Sequence, residues 1–177
     1  MLSRRGISIE PICINVEDTM DDLQQQIQTL IQDAPDDGVT GPTVEAIAPV
    51  LLTFASGLKH AQYYVLQTLN QNWVMTTLGN RKQPNTRKNV LYGFPTLKDA
   101  ASDPLTSRDP QIMAIPTPVT RILFQMLALK SLDSVIFFDT PGNLKQGTEV
   151  RRQDFQAIVQ AHLKESQGYI DPNANIG

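Results

Sequence analysis

Between Ala61 and Asn143 short β-type runs alternate with helix-type runs, and the alternation ends in Ser134-Val135-Ile136-Phe137-Phe138-Asp139-Thr140-Pro141-Gly142-Asn143. The run Ser134–Phe138 has the pattern of a strand buried on both faces. Asp139 and the Pro-Gly turn then put a carboxylate at the strand's mouth, where open sheets often hold ligands. Upstream, Gln62–Leu69 and Asn72–Leu78 are rich in aromatic and β-branched residues, and Asn70-Gln71 between them suits a hairpin. A polar, basic loop follows from Gly79 to Lys88, then a third strand, Asn89–Phe94, ended by Pro95.

Thr96 and Asp99 have capping-box spacing for a short helix. Gln111–Ile115 reads as a fourth strand, and Thr117 with Pro118 opens a helix reaching about Lys130. Leu144–Val150 adds an edge strand, and Arg152–Glu165 a last helix with Phe155, Ile158, Val159 and Leu163 on one face. The order β-β-β-α-β-α-β-(β)-α predicts an α+β protein. Its expected form is a mixed, mainly antiparallel sheet of about five or six strands with helices mostly on one face, plus two N-terminal helices.

Those helices are patterned before Ala61. Met20, Leu23, Ile27, Leu30 and Ile31 mark an apolar face over Thr19–Gln32, with Asp21 and Asp22 where the helix dipole favours negative charge. Gln24, Gln25, Gln26, Gln28 and Gln32 make the opposite face a solvated one. Val44, Ile47, Ala48, Leu51, Leu52, Ala55 and Leu58 stripe a second helix opened by Thr43; Pro49 kinks it or marks its true start. The turn-rich Ala34–Pro42 separates them, which divides the chain into an arm over residues 1–40, a domain over 41–168 and a polar tail over 169–177. Ile7–Ile14, broken by Pro11, suits an edge strand. Such wide apolar faces must pack on the sheet, on each other or on a second copy, which makes Leu23, Ile27 and Leu51 interaction candidates.

The 177 residues, 41% of them hydrophobic, suffice for one core. No apolar run approaches the ~20 residues that span a bilayer, so the chain reads as cytoplasmic. The single cysteine, Cys13, excludes an intrachain disulfide, and its neighbours Ile12 and Ile14 keep the thiol protonated and inert. His60 and His162 stand alone, so neither a metal nor a cofactor is expected. Up to His60 there are three basic and nine acidic residues; from Ala61 on, twelve basic and nine acidic. This split favours docking of the two parts on each other or on a charged partner and is not the footprint of a nucleic-acid protein.

Asp139-Thr140-Pro141-Gly142 matches the magnesium-side Asp-x-x-Gly of GTPases, but no Gly-x-x-x-x-Gly-Lys-Ser/Thr cradle is present to hold phosphates. The motif therefore reads as a strand-ending turn, with Asp139, Gly142 and Asn143 kept as ligand candidates. Arg81, Lys82, Arg87 and Lys88 crowd one loop, and Tyr63, Tyr64 and Trp73 offer stacking surfaces for a single strand, although aromatics at period two also suit a core. No nucleophile elbow exists, and Asp99, Asp103, Asp109, Asp139 and Asp154 are the carboxylates from which a catalytic pair would be drawn.

Tyr63–Leu78, the corner Leu91-Tyr92-Gly93-Phe94-Pro95-Thr96-Leu97-Lys98-Asp99-Ala100, Ile112–Ile115, Thr117–Leu129 and Val135–Gly142 together resemble the N-terminal domain of the enhanced serine sensitivity (SseB) family. They are also similar to the repeat unit of Tic22-type proteins. About half the chain is covered, and Asp139-Thr140-Pro141 stands where those families have a tighter Asn-Pro. The resemblance implies a fold and a non-enzymatic, protein-facing role, and it carries no catalytic residues. The leading expectation is a module that binds another protein or forms a homodimer. Its rivals are a ligand site or enzyme around Asp139, and a weak single-stranded nucleic-acid binder through residues 80–88.

Overall fold

The computed structural model describes residues 16–168, so the strand expected at Ile7–Ile14, the Cys13 thiol and the tail from Tyr169 lie outside it. Helices α1 (Val16–Gln32) and α2 (Thr40–Ser56) come first. Asp37 accepts the Val39 and Thr40 amides at 2.8 and 2.7 Å and so starts α2 three residues before Thr43. Pro49 neither begins nor ends α2. It lies on the solvent side, where the carbonyl it fails to bond is open to water, and Thr53 Oγ1 donates to the Pro49 carbonyl at 2.8 Å.

Strands β1 (Gln62–Thr68), β2 (Thr76–Asn80) and β3 (Gln83–Gly93) follow, then short helices α3 (Leu97–Ala101) and α4 (Pro104–Arg108). Strand β4 (Ile112–Pro118), α5 (Val119–Ala128), β5 (Ser134–Thr140), β6 (Asn143–Arg151) and α6 (Arg152–Gly168) complete the order. The fold is α+β, with six strands among the described residues.

The single sheet expected from sequence is corrected to two. One pairs β1 with β4 antiparallel, Val65 opposite Ile115; the other runs β2-β3-β5-β6, with β3 and β5 parallel and the outer pairs antiparallel. They meet at one point, where Tyr64 and Phe94 exchange backbone hydrogen bonds of 2.8 and 2.9 Å. Pro95, which has no N–H to give, follows at once. Gly93 permits the close approach there: a Cβ on it would lie 3.0 Å from Phe137 Cδ1 and 3.4 Å from Tyr63.

Helix placement also differs from the expectation, because both sides of the strands are covered. Tyr63, Val65, Leu91, Val135, Phe137 and Val150 face a core shared with α1, α2, α5 and α6. Leu66, Phe94 and Phe138 face the other way and pack with Ala100 of α3, Leu105 of α4, and Tyr64, Tyr92 and Ile136. Alternation along β5 feeds both cores, which is why its sequence is continuously apolar.

Other segments also depart from the sequence reading: Thr117 and Pro118 end β4 instead of opening α5, and Pro104–Arg108 forms α4. The chain does turn back after β1, with Gln71 at φ +63°, but the pairing is a single bridge of Gln67 with Trp73, in which the Asn72 carbonyl accepts the Thr68 amide and the Val74 amide donates to the Leu66 carbonyl. Residues Gly79–Lys88 are not a loop: they form the outer part of a β2–β3 hairpin whose tip is Arg81-Lys82. No helix among the described residues is long and apolar enough to cross a membrane.

Candidate functional site

At the mouth of β5 the turn Thr140-Pro141-Gly142-Asn143 joins β5 to β6, and Gly142 takes the positive φ of +77° required after proline in a type II turn. Asp139 is half-buried just before it. His60 Nε2 lies 2.8 Å from the Asp139 carbonyl, a geometry that assigns the ring proton to Nε2, and Thr148 Oγ1 donates to the Asp139 carboxylate at 3.3 Å. The His60 amide donates to the Tyr63 hydroxyl at 3.2 Å. Tyr63 lies buried against Phe137, ring centroids 4.8 Å apart. Burial pushes its hydroxyl up to about 12, with the Asp139 charge adding to the shift and the His60 N–H opposing it.

Gly142 donates its amide to the carboxylate of Asp99, at 3.1 and 3.3 Å from the two oxygens. Thr96 Oγ1 donates to the same carboxylate at 2.7 Å and accepts the Asp99 amide at 3.1 Å. Asn143 Oδ1 accepts the Lys145 amide at 3.1 Å. Asp139, Gly142 and Asn143 are thus neighbours, but the N–H that would read a phosphate already donates to the Asp99 side chain. The buried carboxylate of the region is Asp99, not Asp139. The capping-box spacing of Thr96 and Asp99 pointed to it, while its bond to Gly142 left no local signal.

The other carboxylates are dispersed. Asp103 caps α4 through the Leu105 amide at 2.9 Å, and Asp109 accepts the Gln111 amide at 2.9 Å. Among the described residues no three His, Cys, Asp or Glu side chains gather as metal ligands would.

Thr148 also belongs to an open groove of about 620 Å³ between the C-terminal end of α2, β6 and α6. Phe54, Leu58, Val150 and Ile158 give it an apolar lining, and Ile158 is 47% exposed. The groove runs beside the outer edge of β6, which no described strand covers. The Arg152 amide bonds to the Asp133 carbonyl at 2.9 Å in register with the β5–β6 ladder. Antiparallel alternation then turns Val150 and Thr148 toward β5 and leaves the backbone groups of Gly147, Glu149 and Arg151 pointing outward.

The basic candidates lie at another edge. Arg81, Lys82 and Arg87 are exposed on the β2–β3 hairpin, which extends beyond the sheet because β3 pairs with β5 only from Val90 onward. Lys88 forms an ion pair with Glu149 and, with desolvation opposing it, holds that carboxyl below its ordinary range. Arg87, Lys88, Arg151 and Arg152, together with Asp133, line a cavity of about 540 Å³ at the start of α6. Tyr63 is fully buried, while Tyr64 and Trp73 are half-buried and pack partly into the two cores. Leu23, Ile27 and Leu51 are buried in the helical core at 1%, 4% and 0% exposure, where their contacts are within the chain. No protein-family model, curated protein or solved structure matches the chain.

Proposed function

We propose that the chain is a non-enzymatic protein-interaction module that receives an extended segment of a partner as an added strand on the outer edge of β6. The observation that carries this reading is the apolar groove running beside that unpaired edge. The outward N–H and C=O groups of Gly147, Glu149 and Arg151 supply a ladder, and alternate side chains of the added strand enter the groove over Phe54, Leu58 and Ile158. Asp154 lines the groove and forms no ion pair with a described residue, so it suits a basic residue on the partner. The resemblance to the SseB family supports a protein-facing role in the same sense.

Selection from a displayed library of random linear peptides tests the reading. Enriched peptides should alternate apolar residues and bind the intact chain. Glu149→Pro removes one outward N–H and leaves the β5 ladder in place, and Ile158→Asp makes the groove polar. Each should weaken binding by about tenfold or more, the 1.4 kcal/mol scale of a lost hydrogen bond or apolar contact. Both variants should keep a cooperative melt. Peptides that bind the variants as well as the parent chain would sink the proposal.

A further inference from the structure

Thirteen consecutive residues from Thr76 to Lys88 include four basic side chains, Arg81, Lys82, Arg87 and Lys88, and no acidic one, in a chain whose net charge is −3. Folding concentrates this charge by holding the segment as a two-stranded ribbon that stands clear of the sheet. Thr77 to Arg87 are all exposed, and the ribbon is anchored at its root by Asn89, whose amide donates to Asp133 at 2.7 Å. Its tip turn is tightened by the Lys82 amide on Asn80 Oδ1 at 2.9 Å. Beyond the register shift after Gly79, Pro84 needs no ladder partner, and Asn80, Gln83, Asn85 and Thr86 fill the tip with polar side chains. Arg151 adds a further charge at the root. Arg81, Lys82, Arg87 and Arg151 form no ion pair with any described residue.

We propose that this ribbon is a binding arm for double-stranded DNA that holds the phosphate backbone with Arg81, Lys82, Arg87 and Arg151. A two-stranded ribbon is narrow enough to enter the major groove, which is ~12 Å wide. The tip pair Arg81-Lys82 and the root pair Arg87-Arg151 are separated by a few residues of strand, on the order of 10 Å, so they reach phosphates on opposite walls. The tip has no large apolar side chain to insert into a bilayer. Of the aromatics that would stack a single strand, Tyr63 is buried and Tyr64 and Trp73 pack partly into the cores. Contact is to the backbone, so sequence preference is weak and salt dependence strong.

Fluorescence anisotropy of the full chain with a short labelled duplex of mixed sequence tests the proposal. The same single strand, vesicles containing anionic phospholipid, and poly-glutamate serve as competing probes. Log affinity for the duplex should fall with log salt with a slope of about −3 to −4, as expected for four phosphate contacts. Arg81→Ala with Lys82→Ala should reduce that slope by about 2, and Arg87→Ala by about 1. Arg108→Ala with Lys164→Ala, which removes exposed charge elsewhere, should leave it unchanged. All replaced side chains are exposed, so the melts should match. Absence of duplex binding at low salt would overturn the proposal, as would equal slopes in ribbon and control variants. Tighter binding to the single strand, the vesicles or poly-glutamate than to the duplex would overturn it too.

Discussion

Asp99 is 7% exposed and accepts hydrogen bonds from the Gly142 amide and the Thr96 hydroxyl. Replacing it by alanine leaves both donors without that acceptor. Asp99→Ala should therefore lower stability by about 1–3 kcal/mol, read from urea unfolding at unchanged m-value. Asp99→Asn keeps an oxygen for Gly142 and should cost less; equal losses would show that the Gly142 bond contributes nothing. Asp139, the more conspicuous carboxylate in the sequence, is half-exposed, and its carboxylate accepts from Thr148 at 3.3 Å. The run Phe137-Phe138-Asp139 drew attention to the right turn, but burial, which ranks the two aspartates, depends on how α3 docks against the β5–β6 turn.

At the scale of elements, local signals recovered most boundaries after Asn89 and fewer before it. Thr96 caps α3 as its spacing indicated, and α6 begins at Arg152 as read. The start of α2 was misplaced because Asp37 acts from outside the helix. Three hydrogen bonds, from the Thr40 hydroxyl first and then from the Thr40 and Val39 amides, hold its carboxyl down to about 2 from an ordinary 3.8. The folded value lies below the unfolded one, so this contribution is present above about pH 4 and is lost as pH falls toward 2. Thermal midpoints should drop more across that window in the parent chain than in Asp37→Asn, and parallel profiles would contradict the capping role. The outer part of the β2–β3 ribbon, Gly79–Lys88, does not read as strand because its residues are polar throughout; its pairing is carried by backbone hydrogen bonds, which leave no hydrophobic alternation to read.

Across the whole molecule, α1 shares one core with α2, α5 and the strands. Leu23, Ile27 and Leu30 are buried there, and Gln26 reaches from the glutamine-rich face to the Ala61 carbonyl and to Thr120 Oγ1, both at 2.9 Å. Burial of each such aliphatic side chain contributes about 1.5–3 kcal/mol, so three together rival the ~5–15 kcal/mol that holds a typical domain folded. A chain lacking residues up to Gly38 should lose its cooperative thermal transition by circular dichroism; a sharp melt near the parent's would show that the remainder folds alone. The α+β class and the position of most elements are legible in the order of residues, because hydrophobic period, caps and turns act over a few neighbouring residues. Which strands pair, how they divide into two sheets, and that the apolar helices close on the chain itself emerge in the folded molecule alone. The same holds for which sheet edge stays open and where the basic ribbon stands free. These depend on contacts between segments far apart in the chain, where competing pairings bury similar apolar surface and differ only in how all the pieces pack together.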